Sequence, residues 1–198
     1  MTRIILIRHG ETDWNRNLRI QGSTDIPLND TGRAQARDTA AALRADIDPA
    51  TARLAASDLS RARETAEIIG AELGIGSPRL YPQLRERAYG DAEGLDAATF
   101  AQRWGDWHSA EVPNAESRAD LRSRALAGLR RVISEARRES APGESTVIVV
   151  AHGALIREVI AHASADAFPV AGERLPNGSA HHILWERERL RLLSYAAA

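Results

Sequence analysis

The stretch IILIRHGETDWN, residues 4 to 15, runs four apolar residues straight into Arg8 and His9 and then a glycine. VIVVAHGALIR, residues 147 to 157, repeats the design with His152 and Gly153. A neutral imidazole is a good nucleophile near pH 7, and a guanidinium binds oxyanions through two parallel hydrogen bonds. Arg61 lies in the first turn of the helix expected after residues 53 to 56, so it can reach the same rim. Two imidazoles, two guanidiniums and helix N-termini gathered together describe a site for a dianion, and phosphate fits best. An imidazole there can attack phosphorus to give a phosphohistidine. The charge on the transferring oxygens would be stabilised by Arg8, Arg61 and a protonated His152. The leaving oxygen needs an acid, and Glu86 in LRERAYGDAEG is the candidate, because a partly buried carboxyl can have its pKa raised toward neutrality.

The elements that must position these groups are legible in outline. Residues 3 to 7 and 146 to 151 are continuous apolar runs, the pattern of interior parallel strands. Asn29 is placed to cap a helix running to about Ala45. RLAA at 53 to 56 reads as a short strand, after which Ser57 or Asp58 caps a helix closed by Gly74. Residues 78 to 84 hold two prolines and suit an edge or loop. Residues 117 to 138 form a long arginine-rich amphipathic helix, APGES at 141 to 145 a turn, and Gly153 opens a helix to about Ala163. SAHHILWERERLRLLSY alternates and reads as two strands joined by a tight turn. Strands alternating with helices predict an α/β fold, a sheet covered on both faces. In such a sheet ligands sit beyond the carboxyl ends of the strands, where both His-Gly steps fall.

Composition bounds the function. The chain has 198 residues, 43% hydrophobic and 27% charged, as expected for one soluble domain over residues 1 to 198. A net charge of −1 argues against a nucleic-acid or membrane-surface binder driven by bulk charge. All 26 basic residues are arginine, so no lysine serves in any mechanism, and cysteine is absent, which removes disulfides, thiolate nucleophiles and cysteine-ligated metals. The N-terminus does not read as a signal peptide and no run has the length of a membrane span, so the expected location is cytoplasmic.

RHGETDWN at 8 to 15, SDLSRARETA at 57 to 66, LRERAYGDAEG at 84 to 94 and AHGALIR at 151 to 157 together resemble the histidine phosphatase superfamily, the phosphoglycerate mutase-like family. The four segments occur in the right order across nearly the whole chain. The resemblance implies a three-layer α/β/α fold with a central mostly parallel sheet. It implies His9 as the phosphorylated nucleophile, Arg8, Arg61 and His152 as the phosphate pocket, and Glu86 as the proton donor. It adds Asn15 as a phosphoryl contact, and Gln21 and Gly22 as a loop that touches substrate. No metal or organic cofactor is implied. The partner is a small phosphorylated substrate, and a homodimer through an edge strand or a helix is compatible with the chain.

The sequence departs from the mutase branch of the family in the segment after the glutamate. Residues 87 to 116 read as a flap over the site with one short helix, holding Trp104, Trp107 and His108. From 95 to 116 there is no lysine and one arginine, Arg103. A pocket with little extra positive charge should release its product and admit water, which favours hydrolysis over the mutase. ERAYG nonetheless resembles the mutase version of that segment, so a cofactor-dependent mutase stays as the alternative, with a non-catalytic phospho-ligand binder behind it. Plainer readings stand beside these. His9 and His152 could ligate a metal, but no partner ligands fall at helical spacing. Glu86 could be a surface ion pair with Arg85 or Arg87, and Asp91 or Glu93 could serve as the acid. Glu11 reads as a helper that orients the pocket. His162 reads as a contact with a helix C-terminus, His181 and His182 as structural, Trp104 and Trp107 as mouth or packing anchors, and the arginines of 117 to 138 as a solvated face.

Overall fold

The computed structural model describes residues 1–107, 109–140 and 145–197. Among these, six strands form one sheet: β1 (Thr2–Arg8), β2 (Arg53–Ala56), β3 (Arg79–Leu80), β4 (Thr146–Ala151), β5 (Ala180–Glu186) and β6 (Arg189–Ser194). Their order is β3-β2-β4-β1-β5-β6. The first four run parallel, and β5 and β6 add antiparallel on the β1 side. The helices are α1 (Asp13–Arg16), α2 (Asp30–Leu43), α3 (Ser60–Leu73), α4 (Ala97–Trp104), α5 (Arg118–Ser140) and α6 (Gly153–Ala163).

The apolar runs of β1 and β4 are explained by two covered faces. Ile4, Leu6, Val147 and Val149 pack in one cluster with Leu129 and Ile133 of α5 and Leu155 and Val159 of α6. Ile5, Ile7, Ile148 and Val150 pack in another with Leu43 of α2 and Ala62, Ala66 and Ile69 of α3. Ile4 to Ile7 and Val147 to Ala151 are therefore all buried, and no polar alternation survives in them. The β5–β6 hairpin differs. Along β5 the burial alternates strictly, and Arg187 and Glu188 at the turn both take positive φ, 48° and 62°, the twist that a tight two-residue hairpin requires.

Several boundaries differ from the sequence reading. The α3 N-cap is Leu59, which makes no side-chain cap, because Ser57 and Asp58 are used otherwise. Ser57 Oγ accepts the Leu59 amide at 3.3 Å, and Asp58 pairs with Arg85. Of residues 78 to 84, only Arg79–Leu80 pair as a strand, and Pro82–Leu84 coil into a single 3₁₀ turn. The four-residue α1 was not foreseen; it is too short to show a period and rests on a capping box between Thr12 and Asn15. The long helix extends past 138 to Ser140. Of the turn expected at APGES, residues 141 to 144 lie outside the described residues.

One backbone contact fixes the end of β1 in place. Asn29 caps α2 by accepting the Gly32 amide at 2.9 Å, while its own amide donates to the Glu11 carbonyl at 3.1 Å. The two backbones lie so close that a Cβ on Gly10 would sit 2.3 Å from the Gly32 oxygen, and one on Gly32 2.2 Å from the Glu11 oxygen. Glu11 completes the lock. Its amide donates to Gln35 Oε1 and its carboxylate accepts Asn29 Nδ2.

Gly32→Ala is therefore expected to destabilise the fold by about 1–3 kcal/mol through overpacking. Gly76→Ala, where a Cβ meets nothing within 4 Å, is expected to stay within about 0.5 kcal/mol of the wild type. Urea unfolding of the two variants checks this; equal stabilities would show that the α2 contact is not a constraint.

Candidate active site

Parallel pairing of β1 with β4 matches Arg8 to Ala151, so the next residue on each strand, His9 and His152, emerges at the same level. Their ring centroids are 5.1 Å apart. Both are buried, at 3% and 0% exposure. His9 Nδ1 lies 2.7 Å from the Gly10 carbonyl oxygen. A carbonyl only accepts, so the ring proton sits on Nδ1 and Nε2 keeps its lone pair. Burial, reinforced by Arg61 and Arg8, holds the His9 pKa well below the ordinary imidazole range. Burial, Arg61, His9 and Arg8 do the same to His152. His152 is thus held neutral in the free pocket.

Arg61 is fully buried on the first turn of α3. Its two Nη groups donate to the carbonyls of Gly22 at 2.8 Å and Thr24 at 2.9 Å. Arg8 donates through Nη1 to the Leu175 carbonyl. Neither guanidinium forms an ion pair among the described residues. The Nε of each, both ring nitrogens of His152 and Gln21 Oε1 are buried without a protein partner. Buried polar atoms of this kind require an explanation, and here most of them cluster about one small cavity of about 140 Å³. It is lined by Arg8, His9, Asn15, Gln21, Gly22, Arg61 and Glu86, with Tyr89 and Trp107.

Glu86 is built into the start of α6. Its Oε2 accepts the Ala154 amide at 3.0 Å, and its Oε1 accepts those of Leu155 at 3.1 Å and Arg87 at 2.9 Å. The surface ion-pair reading is excluded by its neighbours: Arg85 is bidentate on Asp58, and Arg87 Nε donates to the Glu116 carbonyl. Arg124 of α5 holds the segment from behind, donating to the carbonyls of Gln83, Arg85 and Glu86.

The rival acids have other work. Asp91 is exposed and accepts Asn114 Nδ2 at 3.0 Å. Glu93 accepts from the amides of Ser23, Thr24 and Tyr89 and from the hydroxyls of Ser23 and Thr24. Burial works against its ionisation, but these hydrogen bonds outweigh it and hold the carboxyl below its usual range. Glu93 is the anchor of the loop that carries Gln21 and Gly22 and clasps Arg61. Gly22, at φ +62°, leaves room for it: a Cβ there would meet Glu93 Oε1 at 2.1 Å.

Asn15 lines the cavity with its side-chain oxygen already engaged. Oδ1 accepts from Thr12 and from Asn177 Nδ2 at 3.2 Å, which leaves Nδ2 to offer an anion. Asn177 was not singled out in the sequence. It also donates to the His9 carbonyl at 2.9 Å, and so braces the backbone at His9. Thr65 was missed too; its hydroxyl donates to the Arg61 carbonyl and accepts the Gly10 amide, tying α3 to the β1 turn. Its only signal is its place one helical turn after Arg61. Phe100 of α4 packs against both Trp104 and Trp107, and Trp107 also stacks near Tyr89 at 5.5 Å, so one tryptophan anchors and the other reaches the mouth. His108 lies outside the described residues. His181 is buried between Ser179 and the Ala196 amide, and His182 faces Arg3. His162 ends α6.

The charge argument drawn from the flap needs correction. The flap brings no guanidinium to the cavities beyond its first residue, Arg87, but Arg19, Arg157 and Arg174 reach them from other elements. The mouth is more basic than residues 95 to 116 suggested.

The family model described as the histidine phosphatase superfamily, branch 1, matches residues 4–198. The chain belongs to this superfamily. It is 36% identical to the phosphatase PhoE of Bacillus subtilis, over 98% of this chain and 94% of the relative. It is 34% identical to phosphoglycerate mutase-like protein 4 of Arabidopsis thaliana, over 89% of this chain and 76% of that one. The mycobacterial glucosyl-3-phosphoglycerate phosphatase, solved with VO3, superposes over 100% of both chains at a TM-score of 0.83 and 29% identity. As a histidine phosphatase the chain is a phosphomonoester hydrolase, and its sheet and flanking helices are those of the phosphoglycerate mutase-like fold.

Burial of neutral imidazoles makes the phosphatase acid-sensitive. His9, His152 and His181, the last pulled down to about 4 mainly by burial, all have folded pKa values below the unfolded one. The unfolded chain binds protons first as the pH falls, so stability present above about pH 6.5 is lost below it. Between pH 7.5 and 5.5 the unfolding free energy is expected to drop by about 1 kcal/mol for each of the three. Urea midpoints across that range check it, and a flat profile would contradict neutral burial.

Proposed function

We propose that this phosphatase hydrolyses small phosphorylated metabolites through a phosphohistidine at His9. The observation that carries this reading is the tautomer lock: Nδ1 tied to the Gly10 carbonyl, Nε2 free, and two guanidiniums without a counterion beside it. His9 is neutral without needing to lose a proton, so it attacks phosphorus directly. As the bond from Nε2 to phosphorus forms, the ester P–O bond breaks, and protonated Glu86 delivers its proton to the leaving oxygen. Arg8, Arg61 and Asn15 Nδ2 receive the equatorial oxygens. A dianion beside His152 opposes the two arginines and favours a proton on its ring, so the imidazolium belongs to the loaded pocket. Water then attacks phosphorus, the P–N bond breaks, Glu86 takes the proton of the water, and phosphate departs. Gln21 and Gly22 sit at the rim of the cavity and meet the substrate there. Among the described residues no group of three or more His, Cys, Asp or Glu is arranged to hold a metal ion, and none of these steps is assigned to one.

The relatives named as phosphatases support hydrolysis. A second reading, a cofactor-dependent phosphoglycerate mutase, is favoured by the arginines at the mouth, which would help retain a bisphosphate, and by the mutase-like relative. Isomerisation that depends on a bisphosphate primer would establish it.

Phosphate release from a panel of phosphorylated metabolites and an aryl phosphate, in EDTA, tests the main reading. His9→Ala is expected to lower kcat by at least about 10³-fold on every substrate. Glu86→Gln is expected to slow alkyl phosphates by about 10²-fold or more and the aryl phosphate much less, because a good leaving group needs little protonation. Acid quenching should trap label on the wild type and none on His9→Ala. Wild-type turnover in His9→Ala would end the proposal.

A further inference from the structure

Arg124 departs from the solvated face read for the arginines of α5. It stands one turn after Leu121 and one turn before Gly128, both buried, on the side of the helix that meets residues 82 to 86. The approach is close: a Cβ on Gly128 would lie 2.9 Å from the Cβ of Gln83.

A guanidinium carries five N–H donors in one plane and no acceptor, and all five of Arg124 are used. Nε and one hydrogen of Nη2 take the two oxygens of Glu116, each at 2.8 Å. Nη1 donates to the carbonyls of Gln83 and Arg85, each at 2.9 Å, and Nη2 donates again to that of Glu86 at 3.2 Å. The two side chains of the pair are 26% and 16% exposed, so water competes little for these bonds. Lysine has the charge but not the fork. Three donors on one nitrogen cannot hold both oxygens of a carboxylate and three carbonyls together.

The residues gathered in this way are the two ends of the flap. Glu86 stands just before it and Glu116 is its last residue. Main-chain contacts close the same neck. The Glu116 amide donates to the Ala88 carbonyl at 2.8 Å, Arg87 Nε donates to the Glu116 carbonyl at 2.8 Å, and Tyr89 forms an antiparallel bridge with Ala115. Gly90, at φ +56°, admits no side chain there, since a Cβ would meet the Pro113 oxygen at 2.1 Å. Glu86 is therefore set from two sides, its carbonyl by Arg124 of α5 and its carboxylate by the Ala154 and Leu155 amides of α6. A general acid has to lie within hydrogen-bond reach of the oxygen that it protonates, and a small shift of the backbone that carries it is enough to lose that reach.

We propose that Arg124 is the positioning residue for Glu86: one guanidinium closes the neck of the flap and fixes where the carboxylate of the acid stands on α6. The proposal rests on the phosphohistidine reading for the role of Glu86. It makes Arg124, with Glu116, act on proton transfer to the leaving oxygen, while His9, Arg8 and Arg61 are held by contacts in which α5 takes no part.

Arg124→Lys, Glu116→Gln and Glu86→Gln are compared on glycerol 3-phosphate, which has a poor leaving group, and on 4-nitrophenyl phosphate, which has a good one. Arg124→Lys is expected to lower kcat/KM by about tenfold or more on glycerol 3-phosphate and by less than about threefold on the aryl ester. Added to Glu86→Gln, it should cost less than about twofold further, because the two changes remove the same step. Glu116→Gln keeps the side-chain volume and one oxygen for Arg124; it is expected to show the same pattern more weakly, and it carries the test if Arg124→Lys does not fold. A residue with only a structural role would slow both esters alike, and again on top of Glu86→Gln; either result overturns the proposal. Amide proton NMR separates it from the reading of Glu86 as the acid. The Ala154 and Leu155 amides, which donate to the Glu86 carboxylate, should move upfield in Arg124→Lys as their hydrogen bonds lengthen, while the Gly32 amide, bonded to Asn29, should stay in place. If Glu86→Gln itself does not distinguish the two esters, the acid reading is what fails. The two amides then still decide: shifted, they establish that Arg124 sets the Glu86 carboxylate, and unmoved, they overturn it.

Discussion

The fold has to bury two guanidiniums beside two imidazoles without supplying a carboxylate to either cation. Arg61 is fully buried and its contacts are carbonyl oxygens. Arg8 leans on one carbonyl and keeps its Nε unpartnered. A carboxylate in contact would neutralise the pocket and compete with a phosphate for the same donors. Backbone dipoles avoid this. They satisfy part of each guanidinium while leaving its full charge for the ligand, in surroundings where that charge acts more strongly than in water. Burial, reinforced by the same positive field, keeps both imidazoles neutral, the form that the proposed nucleophile needs.

Much of the surrounding structure serves that burial. The loop that supplies the Gly22 and Thr24 carbonyls has few apolar contacts of its own, and Glu93 gathers its amides and hydroxyls instead. Glu93 sits behind the loop, where its negative charge steadies Arg61 without touching it. Glu86 occupies the complementary position at the start of α6, where helix amides and the helix dipole hold a carboxyl close to the cations without an ion pair. Two glutamates seven residues apart thus take different places, Glu93 behind the loop as its anchor and Glu86 at the cavity, where the proposed reaction needs its proton donor.

This division explains what was readable in the chain. The buried runs of β1 and β4 announce themselves because parallel strands covered on both faces admit no polar residue, and His9 and His152 are visible because they stand where those runs stop. Arg61 is visible because it stands on the first turn of the helix after a short apolar strand, within reach of the rim where both His-Gly steps fall. Asn177 is invisible for the opposite reason. It arrives beside His9 from 168 residues away, in an unremarkable turn. Arg157 and Arg174 were hidden by their number, among 26 arginines most of which are solvated or paired. The flap drew attention by its irregularity, and its lack of cations was read as a property of the whole mouth. Only the topology, which lays α6 and the approach to β5 alongside the cavity, shows where the charge comes from.

The inner and outer parts of the site are built from different materials, and this bears on how selectivity arises. Three of the groups that the proposed reaction gathers at the phosphoryl centre are fixed by main-chain atoms: His9 by the Gly10 carbonyl, Arg61 by Gly22 and Thr24, Glu86 by Ala154 and Leu155. Such contacts are indifferent to most side-chain changes, so the geometry of the chemistry is a property of the fold. The chamber outside the phosphoryl cavity is lined in part by the ends of long side chains, Arg157 with one carbonyl contact and Arg174 with no hydrogen bond among the described residues. Long free side chains lose more entropy on binding and fix a ligand less rigidly, but they can be exchanged without disturbing the sheet, the helix starts or the loop beneath. A shared phosphoryl pocket can therefore serve relatives whose names attach them to different phosphorylated compounds, with the difference carried by a few residues at the chamber wall.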